Sequence, residues 1–297
     1  MTRTPMHPLF MLLCAATALA QEPSSPGAPI TTSDPLPRSA AADDAVVLPA
    51  CMVPVPRPDG AGGRQDEALR RVREAKAPVR VVFLGDSITQ GWEDAGAGAW
   101  ARDFEPLGAL QIGVGGDRTE HVLWRLAQAP LTPLDPEVVV LMIGTNNAST
   151  GRDSGELVVR AVRAVVDTLL AQCPRARVIV LDIPPRGQRM NPLRGLVLQV
   201  NQALSQVPWN ERVSFLRIGD EFVRGDGSLD EAAMPDFLHF SQAGYERWAR
   251  AIRPAVSSAL EGRAPHPTHP SLASPPRAPA QAPAAPPAAT ATPRTGT

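Results

Sequence analysis

Proline divides this chain before any other residue does. Of its 33 prolines, 9 fall in residues 21–60 and 10 in the last 35 residues, against 12 in the 202 residues from 61 to 262. Proline removes a backbone donor and fixes φ, so the two rich segments are poor material for helix or sheet. The stretch between them has the length of one ordinary domain. We therefore divide the 297 residues into a leader at 1–20, a Pro-rich linker at 21–62, a folded domain at 63–262 and a Pro/Ala-rich tail at 263–297. The tail holds almost no large apolar residue after Leu272, too little to offset the cost of ordering it, and an extended spacer is expected.

The leader reads as an export signal. Leu9–Leu19 is an apolar run of signal length, and Ala18-Leu19-Ala20 before Gln21 fits the small-x-small cleavage rule. A periplasmic or secreted protein is expected, whose mature form would keep Cys51 and Cys173; the sequence leaves open whether they pair. No apolar stretch reaches the roughly 18–20 residues of a spanning helix. The 29 basic and 30 acidic side chains leave a net charge of −1, which offers no field for nucleic acid or an anionic membrane surface. Three cysteines with no CxxC or HExxH spacing give neither a disulfide scaffold nor a metal module, and no cofactor is expected.

Within the domain, short β-branched runs alternate with longer stretches of helical periodicity. Val79–Leu84, Leu110–Ile112, Val138–Ile143, Arg177–Leu181 and Val213–Leu216 read as five strands, and the continuous apolar character of the longer ones places them in a parallel sheet covered on both faces. Helices are expected near 66–76, 117–127, 155–171, 192–205 and 242–260, the last with Ser241 as N-cap. That alternation predicts an α/β sandwich.

Polar and glycine-rich clusters follow the strands: Gly85-Asp86-Ser87, Gly113-Val114-Gly115-Gly116-Asp117, Gly144-Thr145-Asn146-Asn147, and Asp236-Phe237-Leu238-His239 after the fifth. In an open parallel sheet ligands bind beyond the carboxyl ends of the strands, where the strand order reverses. With order 2-1-3-4-5, Gly116 and Asn146 would flank Ser87. Ser87 is the candidate nucleophile, and it needs a base. His7, His266 and His269 lie in the leader and tail, and His121 falls in a helical stretch where a packed histidine is the plain reading. That leaves His239, which has Asp236 three residues before it to orient and stabilise the imidazole. Ser87 N–H, Gly116 N–H and the Asn146 side-chain amide are the oxyanion donors this layout offers. Thr89 stands where a GxSxG elbow needs glycine, and Arg118 where GxGxxG needs its third, so α/β-hydrolase and dinucleotide-binding assignments fail.

These blocks, in this order, resemble those of the SGNH, or GDSL-type, serine hydrolases. The string Gly115-Gly116-Asp117-Arg118-Thr119-Glu120-His121-Val122-Leu123-Trp124-Arg125-Leu126, with Pro185-Arg186-Gly187 and Asn191-Pro192-Leu193-Arg194, is similar to the branch of platelet-activating-factor acetylhydrolase catalytic subunits. The resemblance implies a three-layer, flavodoxin-like α/β/α sandwich and metal-free hydrolysis of esters carrying small acyl groups, acetyl foremost, on a carbohydrate or lipid-like alcohol. It implies Ser87 as nucleophile, His239 and Asp236 as the rest of the triad, and Gly116 and Asn146 as oxyanion donors. Ile88 replaces the leucine of the name-giving motif. A histidine base also implies activity that falls as the imidazole protonates. The alternatives are a lysophospholipase, thioesterase or broad arylesterase on the same chemistry, a carbohydrate-binding module without turnover, or a surface-anchoring component built around the tail. Trp92, Trp100, Trp209 and Arg186 stay open between pocket and packing, as does the oligomeric state.

Overall fold

The computed structural model describes residues 48–58, 62–76 and 78–263. The leader, most of the linker and all of the tail but Arg263 lie outside them. Five strands form one parallel sheet in the order β2-β1-β3-β4-β5: β1 (Val81–Gly85), β2 (Ala109–Gln111), β3 (Val138–Met142), β4 (Arg177–Leu181) and β5 (Val213–Leu216). All four pairings are parallel, with Phe83 opposite Gln111 on one side and Gly85 opposite Met142 on the other.

Alternation within the strands sends side chains into two cores, because successive residues face opposite sides of a sheet. Val82, Leu84, Val139, Leu141, Val178 and Val180 pack with α1 (Gly62–Glu74), α4 (Thr119–Gln128), α6 (Gly155–Gln172) and α7 (Pro192–Ser205). Val81, Phe83, Val138, Val140, Ile179 and Leu181 pack with α3 (Ala97–Asp103) and α8 (Gln242–Leu260). The result is the expected three-layer α/β/α sandwich. Ser154, Asn191 and Ser241 cap α6, α7 and α8 by accepting the N–H of Leu157, Arg194 and Gly244.

The second core is aromatic. Trp92 is fully buried against Phe83, Trp100, Phe104, Tyr245 and Trp248, with ring centroids 4.7–6.1 Å away. Trp209 packs on the other face and donates from Nε1 to Leu204 O. The three tryptophans left open between pocket and packing are thus packing residues. Among the described residues no helix is long and apolar enough to cross a membrane.

One expectation is corrected. Residues 48–58 were assigned to a linker too rich in proline to pack, yet they lie against the domain. Cys51 is fully buried, its carbonyl accepts from Thr119 Oγ1 at 2.8 Å, and Val55 N–H donates to Glu120 O at 3.3 Å. Proline forbids a sheet ladder or a helix interior here, but not an irregular strap whose carbonyls still accept and whose side chains still bury. Cys51 and Cys173 are both buried and both free.

Candidate active site

Ser87, Gly116 and Asn146 follow the ends of β1, β2 and β3, whereas Asp236 and His239 sit in the turn just ahead of α8. β1 runs to Gly85, where a Cβ would overlap Met142 O and Thr89. Asp86 then caps the four-residue α2 (Ser87–Gln90), its Oδ1 accepting Ile88 N–H at 3.0 Å. The short turn presents Ser87 at the sheet edge, braced from below by Tyr245, whose hydroxyl donates to Ile88 O at 2.6 Å.

Ser87 Oγ lies 2.9 Å from His239 Nε2, across a sequence separation of 152 residues. His239 Nδ1 lies 2.7 Å from Asp236 Oδ2. Asp236 Oδ1 accepts the N–H of Leu238 and of His239 at 3.0 and 2.7 Å, which folds the DFLH segment into a tight turn. The turn needs a left-handed residue at Phe237, φ 56°, and is pinned by Gly187 N–H on Phe237 O and by Phe240 stacked on Phe222 with centroids 4.2 Å apart. An ionised carboxylate can only accept, so Nδ1 carries the imidazole proton and Nε2 offers its lone pair to Ser87 O–H. Partial burial pushes the Asp236 carboxyl up. The His239 ring and the two backbone N–H groups outweigh that and hold it below the usual carboxylate range.

Gly116 and Asn146 come from the strands on either side of β1, as the predicted order required. Gly113 fits only as glycine, since a Cβ would crowd Thr89, Gln90 N and Asp86 O, and one at Gly115 would sit 3.7 Å from Ser87 Cβ. Gly116 has φ 78°, in the left-handed region. Among the described residues no protein group accepts the Ser87 or the Gly116 N–H. Asn146 donates one amide hydrogen to Asp117 O at 2.9 Å, which fixes the side chain and leaves its second N–H for a ligand.

Several supporting residues escaped the sequence reading. Gln90, one turn after Ser87, accepts Gly115 N–H at 2.7 Å. Asn147 is a buried hub: Oδ1 accepts Thr119 N–H, and Nδ2 donates to Thr119 Oγ1, Glu120 Oε2 and Asp153 Oδ2 at 3.0–3.1 Å. The second asparagine of GTNN was the only hint of it. Arg186, which the sequence left open between pocket and packing, donates to Thr145 O and Oγ1, and burial lowers its pKa against the pull of Asp86 and Asp236. His121 is buried and its Nδ1 accepts Arg118 N–H at 3.1 Å, a packed histidine as read. Among the described residues no group of three His, Cys, Asp or Glu is arranged for a metal ion.

Two buried acids at strand ends set an expected pH response. Burial pushes Asp86 from 3.8 up to about 7 against the Ile88 N–H that it accepts, and pushes Asp182 to about 7 against the N–H groups of Ile218 and Gly219. Both hold a proton more tightly folded than unfolded. Their stabilising contribution is therefore full below about pH 4 and is lost as the pH rises through about 7, by up to about 1.4 kcal/mol per pH unit for each group. Glu120 has the opposite sign: burial raises it, but Arg152, its own backbone and Arg118 bring it from 4.5 to about 2, so its contribution disappears only as the pH falls through that range. Urea midpoints should rise from about pH 8 to about pH 5, with Asp182→Asn flattening the rise. A midpoint that climbs with pH across that interval would contradict these assignments.

Residues 83–247 match the profile of the GDSL-like lipase/acylhydrolase family. The chain is similar to human platelet-activating factor acetylhydrolase IB subunit alpha1, 40% identical over 173 residues, covering 58% of this chain and 73% of the relative. The rat alpha2 subunit is 37% identical over 182 residues, 61% of this chain and 77% of the relative. In fold it resembles a solved GDSL-like lipase from Bacteroides thetaiotaomicron, with TM-score 0.56 at 21% identity over 66% of this chain and 99% of that one.

Proposed function

This chain belongs to the GDSL-like lipase/acylhydrolase family and is a carboxylic ester hydrolase, and we propose that it is an exported serine esterase removing short acyl groups, acetyl foremost, from a carbohydrate or lipid-like alcohol. The observation that carries this reading is the continuous relay of Asp236, His239 and Ser87, with contacts of 2.7 and 2.9 Å.

As Ser87 Oγ attacks the ester carbonyl, its proton passes to His239 Nε2, and Asp236 stabilises the imidazolium that forms. The carbonyl oxygen becomes an oxyanion facing Ser87 N–H, Gly116 N–H and the second amide hydrogen of Asn146. Collapse breaks the ester bond, and the alcohol leaves with the proton from His239. Water then gives a proton to the same nitrogen and attacks the acyl-serine, releasing the acid and restoring Ser87.

Acetyl preference is supported by the names of the relatives, two acetylhydrolase subunits at 40% and 37% identity. Export is supported by the leader sequence, which ends in Ala18-Leu19-Ala20. The test is kcat/KM on p-nitrophenyl acetate, butyrate and octanoate. Each methylene that a small acyl pocket cannot seat costs on the order of 1–3 kcal/mol, so kcat/KM should fall at each lengthening. Equal or higher values on the octanoate would favour the lysophospholipase reading.

A further inference from the structure

We infer that Arg57, on the strap ahead of the domain, is a positioning residue for ester hydrolysis, acting by holding the peptide that carries the Gly116 N–H. Its Nη1 donates to Gly115 O at 2.6 Å. Gly115 O and Gly116 N–H belong to one peptide unit, and in a trans peptide the two point in opposite directions within one plane. Fixing the carbonyl therefore fixes the N–H, and Gly116 N–H is the oxyanion donor in the function proposed above, on which this inference rests.

The neighbouring peptide is held as well. Gly115 N–H, the donor of the preceding unit, goes to Gln90 Oε1 on the same short helix as Ser87. Gly115 is thus clamped on both sides, by Gln90 toward the nucleophile and by Arg57 toward the strap. Its left-handed neighbour Gly116 has no side chain of its own to define the backbone, and a Cβ there would overlap the Arg57 guanidinium. The space a side chain would fill is occupied by the arginine.

Arg57 is itself built in. Its backbone N–H donates to Gln65 Oε1 at 3.2 Å, its Nη1 lies 3.9 Å from Asp117 Oδ1, and its side chain is only 11% exposed. Behind it, the strap is anchored by buried Cys51 and by Thr119 Oγ1 donating to Cys51 O. The guanidinium consequently reaches the glycine block from a fixed base rather than from a swinging surface chain. Displacing a reacting or stabilising group by about 1 Å can cost on the order of 10²-fold in rate, so a small rotation of one glycine peptide is enough to matter.

The experiment measures kcat and KM on p-nitrophenyl acetate and thermal midpoints for the full chain, Arg57→Ala and Ser87→Ala. Free guanidinium at low millimolar concentration is then titrated into Arg57→Ala. The expected result is a kcat lower by about 10–100-fold with KM changed far less, and a saturable recovery of kcat by guanidinium but not by sodium chloride. A merely structural arginine would lower the thermal midpoint without a recovery specific to guanidinium, and that result overturns the inference. Wild-type kcat in Arg57→Ala beside an inactive Ser87→Ala also overturns it while leaving the triad in place. Full activity in Ser87→Ala would instead remove the catalytic reading beneath it.

Discussion

Ser87→Ala is expected to lower kcat on p-nitrophenyl acetate by about 10⁴–10⁶-fold while the protein stays folded. In the proposed mechanism the rate effect is large because nucleophile and base work as a unit: without Oγ, His239 Nε2 loses the hydroxyl 2.9 Å away that it would activate, and the acyl-enzyme route closes. Water bound in the same place would use only the oxyanion donors. The stability effect is small because Ser87 Oγ faces the site, and its hydrogen bond runs to the half-exposed His239. Helix α2 keeps its Asp86 cap and its Tyr245 brace in the variant. Matching urea midpoints together with the lost rate would separate chemistry from folding.

Asp236→Asn is expected to cost about 10²–10⁴-fold in kcat with KM little changed. The amide oxygen can still accept from Leu238 and His239 N–H, so the turn survives. At Nδ1, however, the ring would now meet an amide donor. Nδ1 would turn acceptor and Nε2 would carry the proton toward Ser87 Oγ, leaving no lone pair to receive the hydroxyl hydrogen. The Asp236 side chain is 54% exposed, so solvent offers other partners for the ring and the loss should fall short of that in a fully enclosed triad. Stopped assays at saturating substrate give kcat directly. A variant within a few-fold of wild type would mean that the carboxylate does not set the tautomer.

What could be read from the residues and what could not divide along physical lines. Strands β1, β3 and β4 and helices α6, α7 and α8 have enough residues for a periodicity to show, and their two-sided burial matches the apolar runs. Helix α3, with the sequence AGAWARD, has good helix formers in its alanines and arginine, but at seven residues with a glycine among them it is too short for an apolar periodicity to show. Trp100 in that helix and Phe104 just after it find their places only against Phe83 and Trp92, which no local pattern encodes. The strap at 48–58 was hidden by its prolines, because proline content reports on regular structure and not on burial.

The site shows the same division. Ser87, Asp236 and His239 were legible because chemistry limits the choice: one serine at a strand end and, outside leader, tail and helix, one histidine with an acid three residues before it. Gly116 and Asn146 followed from the strand order that the sheet adopts. Arg57 and Gln90 bond the backbone of Gly115, and Asn147 ties Thr119 N–H to the side chains of Thr119, Glu120 and Asp153; these meetings depend on the finished fold, so residue type alone gave no signal for them.

The proposed chemistry requires Ser87 to become covalently acylated, and a mechanism-based label can trap it in that role. The full chain would be treated with a fluorophosphonate, which reacts with an activated serine by losing fluoride, and analysed by intact mass and peptide mapping. One adduct per chain is expected, on the peptide containing Ser87, absent from Ser87→Ala and formed far more slowly in Asp236→Asn. An active enzyme that takes up no label, or takes it up on a different residue, would contradict it.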